Sequence, residues 1–355
     1  MDRVRIGIIG LGVMGELYAK VYSTHPLSEL SAVCSLRQDR VDELKARFSV
    51  PYGDTDYRRM LERADLDAVV VATPDHQHFE PTRAVLASGR HALVEKPFTT
   101  NLGEADELIR IAGESKRFVQ VAFNHRWLAP YYQAKQVIQS GEIGVPLAGY
   151  ARKNDTLWVP TDHIGWAGQT TSAWFLSSHD IDLLRWWLDA EPVEARAWGR
   201  KEVLAARGIP TFDIIQAQVK FASGAFITFE SGWIYPKGFP ALVDSLIQVV
   251  GSKGHVSLDR KYESLEVSTD TKFSYPKGFL TAEIFGRLRG AFPNCLEDFL
   301  RSIRDGIQPG VTAFDGRQVT ATLIAIHRSL ETGNTEAIAA PPADIHGTSR
   351  DPRLV

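Results

Sequence analysis

A glycine-rich run near the start of the chain, Gly10 to Gly15, restricts what this sequence can fold into. The apolar segment Val4 to Ile9 precedes it, and a segment with helical spacing of apolar residues follows it. In a Gly-x-Gly-x-x-Gly run, the first glycine permits a tight turn, the second lets backbone approach a pyrophosphate, and the third lets a helix pack closely on a strand. The run therefore predicts a strand, a dinucleotide-binding turn and a helix. We expect cofactor contacts from the whole run: Gly10, Leu11, Gly12, Val13, Met14 and Gly15.

The first 120 or so residues alternate short apolar runs with helix-patterned segments. This alternation is typical of a parallel sheet that helices cover on both faces, and it predicts an α/β fold that begins with a doubly wound Rossmann domain over residues 1–123. The predicted strands are residues 4–9, 30–34, 68–72, 91–94 and 118–121. In the first helix, Val13, Leu17 and Val21 are expected to face the sheet, and Asn101 is expected to cap a later helix.

The pattern of apolar and polar residues changes after Val121. A predicted helix over 130–140 is followed by an aromatic, turn-rich segment that reaches Ser178, and residues 193–258 alternate apolar and polar positions as antiparallel strands do. We therefore expect a second, α+β domain over 124–340 with a large, mostly antiparallel open sheet. Two helices are expected near its end, at 295–304 and 316–331. Residues 341–355 have no apolar periodicity, which predicts a mobile tail or a packing arm.

Composition excludes several classes of function. The 355 residues carry a formal net charge of -3, which gives no basic field for nucleic acid. The two cysteines, Cys34 and Cys295, are far apart in sequence and have no metal-ligand spacing, and the histidines show no metal motif, so we expect no metal. Because no signal peptide or membrane span is evident, we expect a cytoplasmic protein without membrane partners.

The end of the second predicted strand favours one cofactor over another. NAD-binding folds usually place an acid there to bind the ribose 2′-hydroxyl, whereas this chain has Ser35, followed by Leu36, Arg37 and Arg40. A hydroxyl and two guanidinium groups suit the 2′-phosphate of NADP through charge-assisted hydrogen bonds. We therefore expect these residues to bind NADP in preference to NAD. The alternative is that both arginines are solvated residues at a helix start.

Two later strand ends carry polar motifs, and ligands of open parallel sheets bind beyond the carboxyl ends of the strands. Thr73-Pro74 and His78 follow the third predicted strand, and Glu95-Lys96-Pro97 follows the fourth. This succession resembles the glucose-fructose oxidoreductase, inositol dehydrogenase and MocA (Gfo/Idh/MocA) family of nicotinamide-dependent sugar and cyclitol oxidoreductases. Further landmarks of the family extend the resemblance to about residue 336: Ala122 to Trp127, Ser140 to Gly144, His179 with Asp182, Leu296 to Phe299, Asp305-Gly306 and Asp315-Gly316.

The resemblance implies roles for particular residues. In the family, the lysine matching Lys96 lies beside the nicotinamide, and the residue matching His179 exchanges a proton with the reacting hydroxyl. Hydride removal from a secondary alcohol needs such a base, and a lysine can polarise the substrate oxygen. Family members often form oligomers through the open sheet, so a homo-dimer or homo-tetramer is expected. The further cofactor contacts implied by the family are Thr73, Pro74, His78, Glu95, Lys96, Asn124 and Arg126; the alternative for Arg126 is a structural salt bridge.

One position departs from the family pattern. Relatives often carry an Asp four residues before the histidine, and this chain has Phe175 there. Either another acid substitutes, or the substrate presents an apolar face to Phe175. Asp182, one turn after His179, is a candidate to orient its ring, although a helix-surface acid is the alternative. The complete set of candidate substrate contacts is Lys96, Asp162, His163, Trp166, Phe175, His179 and Asp182; Trp158 and Trp174 are further aromatic residues that can line a pocket, whereas Trp186 and Trp187 are expected in the core.

The leading prediction is an enzyme that transfers hydride between NADP or NAD and a secondary hydroxyl of a sugar, sugar derivative or cyclitol. A second possibility is a redox-neutral enzyme that cleaves glycosidic bonds with tightly bound NAD. A third is a dinucleotide-binding regulator without catalysis. Retention of Lys96 and His179 speaks against the regulator, and Phe175 keeps it open.

Overall fold

A six-stranded parallel sheet forms the core of the first part of the chain, as the glycine run and the strand alternation predict. The computed structural model describes residues 3–345, which divide into two compact units. The first unit contains residues 3–124, 283–317 and 342–345, and its sheet has the order β3-β2-β1-β4-β5-β6. This order, with the reversal between β1 and β4, is that of a doubly wound Rossmann sheet.

The strands of this sheet are β1 (Val4–Ile9), β2 (Ser28–Cys34), β3 (Tyr52–Asp54), β4 (Ala68–Val71), β5 (His91–Val94) and β6 (Val119–Val121). The helices between them are α1 (Val13–Tyr22), α2 (Gln38–Phe48), α3 (Tyr57–Arg63), α4 (Phe79–Ala87) and α5 (Leu102–Ser115). The five predicted strands are confirmed, and β3 was missed because its three half-buried residues show no apolar run. Asn101 caps α5 as predicted, since its side chain accepts a hydrogen bond from the Glu104 backbone N–H at 3.2 Å.

The buried face of α1 differs from the predicted one. Val21 is buried, but Val13 is exposed and the interior face is formed by Tyr18, Ala19 and Tyr22. The reason lies at Gly15, where a Cβ would overlap the carbonyl oxygen of Gly10. Close packing at this glycine, rather than the spacing of aliphatic side chains, therefore sets the rotation of the helix.

A seven-stranded mixed sheet dominates the second unit, which contains residues 125–282 and 318–341. Its order is β12-β11-β7-β10-β9-β8-β17, and every neighbouring pair is antiparallel except β7 with β10. This confirms the predicted large, mostly antiparallel sheet. Its strands are β7 (Pro146–Thr156), β8 (Pro192–Arg200), β9 (Ile214–Phe221), β10 (Phe226–Tyr235), β11 (Val243–Gly251), β12 (His255–Asp259) and β17 (Glu336–Ala337).

Strand β7 corrects the expectation of a turn-rich segment from 141 to 178. Its second half is polar, with Arg152, Lys153, Asn154 and Asp155 in succession, so it has no apolar alternation. These side chains are nevertheless largely buried, because strands on both sides and helix α7 (Ser178–Leu188) supply partners for them.

The remaining elements are helices and short hairpins. Helix α6 is Ala129–Gln139, and the two predicted late helices are present as α8 (Ala291–Asp305) and α9 (Ala313–Thr332). Two short antiparallel pairs are formed by β13 (Val267–Ser268) with β14 (Phe273–Ser274) and by β15 (Ala282–Ile284) with β16 (Arg287–Arg289). Trp186 and Trp187 are buried in α7, as expected for core residues.

The first residues of the predicted tail are packed. Ile345 is buried, and the Asp344 carboxylate accepts a hydrogen bond from Arg110 on α5 at 2.6 Å. These contacts of Asp344 and Ile345 favour the packing arm of the two predicted alternatives. The rest of the predicted tail, residues 346–355, lies outside the described residues.

Candidate functional site

The glycine turn after β1 has the geometry that a bound dinucleotide requires. Gly10 has a φ of 93°, and a Cβ there would lie 2.5 Å from the carbonyl oxygen of Ala72 after β4. At Gly12, by contrast, a Cβ would meet no atom of the described residues within 4 Å. The first and third glycines are therefore required for the packing of the turn, whereas Gly12 leaves its surface open to a ligand at the start of α1.

The segment after β2 carries the residues predicted to select the cofactor. Ser35 accepts a hydrogen bond from the Arg37 backbone N–H at 3.3 Å, and Leu36 is 90% exposed. The Arg37 side chain lies at the surface and pairs with Asp39 at 2.5 Å. No acid stands directly after this strand in the sequence, where NAD-binding folds commonly have one.

Arg40 links this segment to the glycine turn. Its Nε donates to the Leu11 carbonyl oxygen at 3.2 Å, and its other guanidinium nitrogens pair with Glu16 at 2.7 Å and Glu43 at 2.5 Å. The hydrogen bond from Arg40 lowers the pKa of the Glu16 carboxyl. Arg40 therefore holds the turn in place, and its guanidinium is paired with the Glu16 and Glu43 carboxylates.

The loops after β4 and β5 are tied together by His78. Both ring nitrogens of this buried residue face backbone carbonyls, Nδ1 that of Pro97 at 2.7 Å and Nε2 that of Thr73 at 2.9 Å. Pro74, the predicted neighbour of Thr73 in this site, precedes the short helical turn that leads to His78. The carboxyl ends of β4 and β5 therefore meet in one cluster beside the glycine turn, which Gly10 joins through Ala72.

Glu95 fixes the backbone at Lys96. The buried Glu95 carboxylate accepts a hydrogen bond from the Tyr18 hydroxyl at 2.8 Å and one from the Lys96 backbone N–H at 3.1 Å. Lys96 is joined to Pro97 by a cis peptide bond, and its side chain is partly exposed. Tyr18 was not singled out in the sequence because a tyrosine on a helix resembles an ordinary core residue.

These residues fit a dinucleotide. The open backbone at Gly12, the start of α1, and the partly exposed Lys96 all belong to the carboxyl edge of one parallel sheet, where such ligands bind. The sheet order reverses at this edge between β1 and β4. Predicted cofactor residues from four strand ends are thereby brought together in the first unit.

His179 is buried in the first turn of α7, in the second unit. A π-helical turn, Ala173–Ser177, leads into this helix and contains Phe175. The Phe175 ring packs edge-on against Trp166 and Trp233, with centroids 6.1 and 5.6 Å away. At the position where the resemblance implies an acid, this chain therefore has an aromatic side chain that packs against an apolar cluster.

A second imidazole stacks on His179. The rings of His125 and His179 have centroids 4.1 Å apart and an interplanar angle of 25°. His125 Nδ1 lies 3.4 Å from Nζ of the buried Lys153, which pairs with Asp180 Oδ1 at 2.5 Å. Sequence reasoning named His125 only as part of a motif and passed over Lys153 and Asp180.

Asp182 and Arg126 form a buried ion pair. Arg126 donates from Nε to one carboxylate oxygen at 2.8 Å and from a terminal nitrogen to the other at 2.5 Å. The guanidinium also lies 5.3 Å from the Trp186 ring centroid. This is the salt bridge given above as the alternative for Arg126. Ligand contacts by Asn124, which is buried, and by Arg126 remain predictions, as does the orientation of His179 by Asp182.

Other predicted contacts lie at the surface. Asp162 is exposed and pairs with Lys237 at 2.8 Å, and this hydrogen bond lowers the pKa of Asp162. His163 is exposed as well and stacks on Trp158 with centroids 4.7 Å apart. Their roles toward a substrate remain predictions.

The aromatic residues predicted to line a pocket have different environments. Trp166 lines a cleft of about 310 Å³, together with Pro160, Ile164, Gly168, Ile209 and Pro210. Trp174 is buried and stacks on His327, with centroids 5.3 Å apart. Trp174 therefore belongs to the core of the second unit, and Trp166 is the better candidate for a ligand contact.

Neither a metal-ligand cluster nor a helix suited to a membrane is found among the described residues. Within residues 3–345, no three His, Cys, Asp or Glu side chains cluster to hold a metal ion. In the same part of the chain, none of the helices combines the length and apolar character that crossing a membrane requires.

The geometry of the glycine turn predicts a selective effect of Gly12→Ala. The added methyl group meets open space in the protein but stands where a pyrophosphate would approach, so we expect dinucleotide affinity to fall at least about tenfold with little change in stability. Calorimetric titration and thermal unfolding measure the two quantities. Gly113→Ala on α5, where a Cβ also meets open space, is the matched control and should leave binding unchanged. Equal affinity in wild type and Gly12→Ala would contradict the placement of the ligand.

Comparison with known proteins agrees with this architecture. Residues 4–123 match the model of an oxidoreductase family with an NAD-binding Rossmann fold, and residues 135–338 match the C-terminal α/β domain of the same family. Myo-inositol 2-dehydrogenase of Thermotoga maritima is 27% identical over 92% of this chain and 96% of its own length. Inositol 2-dehydrogenase of Acidothermus cellulolyticus is 28% identical over 98% of each chain.

Solved structures share the fold. Scyllo-inositol dehydrogenase from Lactobacillus casei, with bound NAD(H) and scyllo-inositol, has a TM-score of 0.84 at 22% identity and covers 95% of this chain and 100% of its own. GenD2 from gentamicin A biosynthesis, in complex with NAD, has a TM-score of 0.85 at 22% identity over 96% of this chain and 97% of its own. Together with the two family models, which cover most of the sequence, these matches confirm the resemblance first indicated by the motifs: the chain belongs to the Gfo/Idh/MocA oxidoreductase family.

Proposed function

We propose that this oxidoreductase transfers hydride between a nicotinamide dinucleotide and a secondary hydroxyl of a cyclitol, sugar or sugar derivative. The observation that carries the proposal is the open glycine turn after β1 on the same sheet edge as Lys96 after β5, in a chain that also keeps a buried His179. The relatives named inositol 2-dehydrogenase support the cyclitol class.

The chain's own residues have distinct tasks in this proposal. Bound NAD or NADP supplies the hydride acceptor or donor. His179 accepts the hydroxyl proton at a ring nitrogen when the alcohol is oxidised and returns it in the reverse direction. Lys96 binds the reacting oxygen and stabilises the negative charge that develops there. Phe175 offers an apolar surface where relatives often have an acid, which favours a substrate with an apolar face or one fewer hydrogen-bonding group at that point.

NADP is the preferred cofactor in this proposal. Ser35 after β2 and the exposed Arg37 stand where an acid would bind a ribose 2′-hydroxyl, and the Arg40 guanidinium lies beside the turn, paired with Glu16 and Glu43. NAD, which the family description names, is the alternative cofactor.

Self-association through the large sheet is also proposed. One face of this sheet presents exposed apolar side chains, among them Trp198 on β8, Phe226 on β10 and Val250 on β11. Apolar surface of this kind commonly ends in an interface between copies.

We expect analytical ultracentrifugation to give a dimer or tetramer for the wild type. The double variant Trp198→Glu with Phe226→Glu should dissociate this oligomer, and a monomeric wild type at micromolar concentration would contradict the proposed interface. The balanced charge supports the absence of a nucleic-acid partner. The two free cysteines, Cys34 and Cys295, support a reducing compartment, which is the cytoplasm in this proposal.

Phe175 is the observation that favours a second candidate. An incomplete set of catalytic groups is expected in a dinucleotide-binding regulator, and a redox-neutral glycoside-cleaving enzyme would hold NAD without net turnover. Both alternatives keep nucleotide binding and lack steady reduction of added cofactor, which separates them from the main proposal.

Replacing the two proposed catalytic residues tests the main proposal. Lys96→Met and His179→Gln should each lower kcat for the best cyclitol or sugar substrate by about 100-fold or more, because a charge or a base is lost from the reacting oxygen. His179→Gln should keep the wild-type affinity for the dinucleotide. The matched controls, Lys116→Met and His255→Gln, change exposed residues outside the proposed site and should retain full turnover. Near-normal rates in either site variant would refute the assignment of that residue.

The cofactor preference is tested at the end of β2. Ser35→Asp combined with Arg37→Ala should shift the ratio of kcat/KM for NADP over NAD toward NAD by about tenfold or more, because the new carboxylate repels the 2′-phosphate and accepts from the 2′-hydroxyl. Arg83→Ala, which removes an exposed arginine of α4 that pairs with Glu80, is the control and should leave the ratio unchanged. An unchanged ratio in the double variant would show that the segment after β2 does not set the preference between NADP and NAD.

A further inference from the structure

The His125 ring separates His179 from a buried cation. Its imidazole stacks on His179 at 4.1 Å, while its Nδ1 lies 3.4 Å from the Lys153 ammonium. All three side chains are at least nine-tenths buried. With Lys153 as donor, Nδ1 is the acceptor, so the proton of a neutral His125 resides on Nε2. The Lys153 contact at 3.4 Å therefore favours the uncharged tautomer of His125 that carries its proton on Nε2.

The charged groups around this stack come from several elements. Lys153 and Asp155 lie on β7, Asp180 lies on α7, and Arg260 follows β12. Tyr131 on α6 meets the edge of the His125 ring at 6.0 Å, and Arg260 lies 5.6 Å from the Tyr131 ring centroid. Lys153 contacts the His125 ring directly, and Asp180 holds the Lys153 ammonium at 2.5 Å.

Two stacked imidazoles in a buried site cannot easily both carry a charge. A cation at Nδ1 disfavours protonation of His125 and withdraws electron density from the ring that faces His179. An electron-poor face interacts weakly with a cationic neighbour, whereas an electron-rich aromatic face attracts one. The arrangement of Lys153 behind His125 therefore disfavours the imidazolium form of His179.

We propose that Lys153 and His125 are positioning residues that keep His179 uncharged, so that it can accept the proton of a substrate hydroxyl at a pH where an ordinary histidine would already be protonated. The proposal rests on the proposed function of His179 as the base. It also gives the buried Lys153 a role in the second unit besides its pairing with Asp180.

The test is a pH titration of His179 in the full chain. NMR of ¹³C- and ¹⁵N-labelled histidine monitors the titration, and the signal that is missing in His179→Gln assigns the resonance of His179. In Lys153→Met the cation is lost and Asp180 remains, so the proton affinity of His179 should rise about tenfold, one unit of pKa. Because only neutral His179 accepts a proton, the acidic limb of the kcat/KM profile should move to higher pH by the same amount. Activity should then fall more at pH 6 than at pH 8.

His125→Phe is the second variant, which keeps both an aromatic ring against His179 and the Lys153–Asp180 pair. It replaces an electron-poor face by an electron-rich one, so the proton affinity of His179 should rise severalfold. This variant retains the buried ion pair and therefore gives an answer even where Lys153→Met does not fold. Lys153→Arg keeps the positive charge and should restore the wild-type titration.

Arg185→Met is the matched control, because it removes a different buried cation, one that lies on α7. Arg185 lies six residues after His179 in α7 and pairs with Glu191 at 2.5 Å. Its replacement should leave the pKa of His179 unchanged. An unshifted His179 in both Lys153→Met and His125→Phe, or an equal shift in Arg185→Met, would overturn the proposal. The NMR titration needs no turnover, so it separates this outcome from a failure of the proposed function, in which His179→Gln keeps full activity.

Discussion

The burial of charged side chains on α7 is the constraint on which the second unit depends. Asp180, Asp182 and Arg185 are all interior, and an unpaired charge in such a place costs several kcal/mol. Their partners come from three separate segments: Lys153 on β7, Arg126 after β6, and Glu191 before β8. Helix α7 thereby holds β7, the residue before β8 and the segment after β6. His179 lies among these pairs, so the packing of the fold also places the proposed base.

The first unit was predictable because its signals are local. Short apolar runs give fully buried parallel strands, and the glycine spacing gives the turn and the close approach of α1. Two features were not visible in that pattern. Strand β3 is short and half-buried, and the inward face of α1 follows from backbone contact at Gly15 rather than from the spacing of aliphatic residues.

The second unit was predicted in outline and not in its central strand. In β7 the polar residues are interior because other elements satisfy them, as Asp244 does for Arg152 and Glu230 for Asn154. Hydropathy alone cannot distinguish a solvated polar run from a paired one. For the same reason Lys153 was overlooked and His125 was read only as part of a motif. The motif residues themselves, Lys96 and His179, were identified because their sequence neighbourhoods are distinctive.

The central claim is that the chain reduces and oxidises a nicotinamide with a cyclitol or sugar as partner. The most direct measurement mixes the purified protein with NADP, and separately with NAD, and follows reduced nicotinamide across a panel of inositols, sugars, sugar acids and anhydrosugars. We expect reduction of the nicotinamide with at least one cyclitol or sugar, and a faster rate with NADP than with NAD. Dinucleotide binding without reduction by any member of the panel would contradict it and favour a sensor or an enzyme with a permanently bound cofactor.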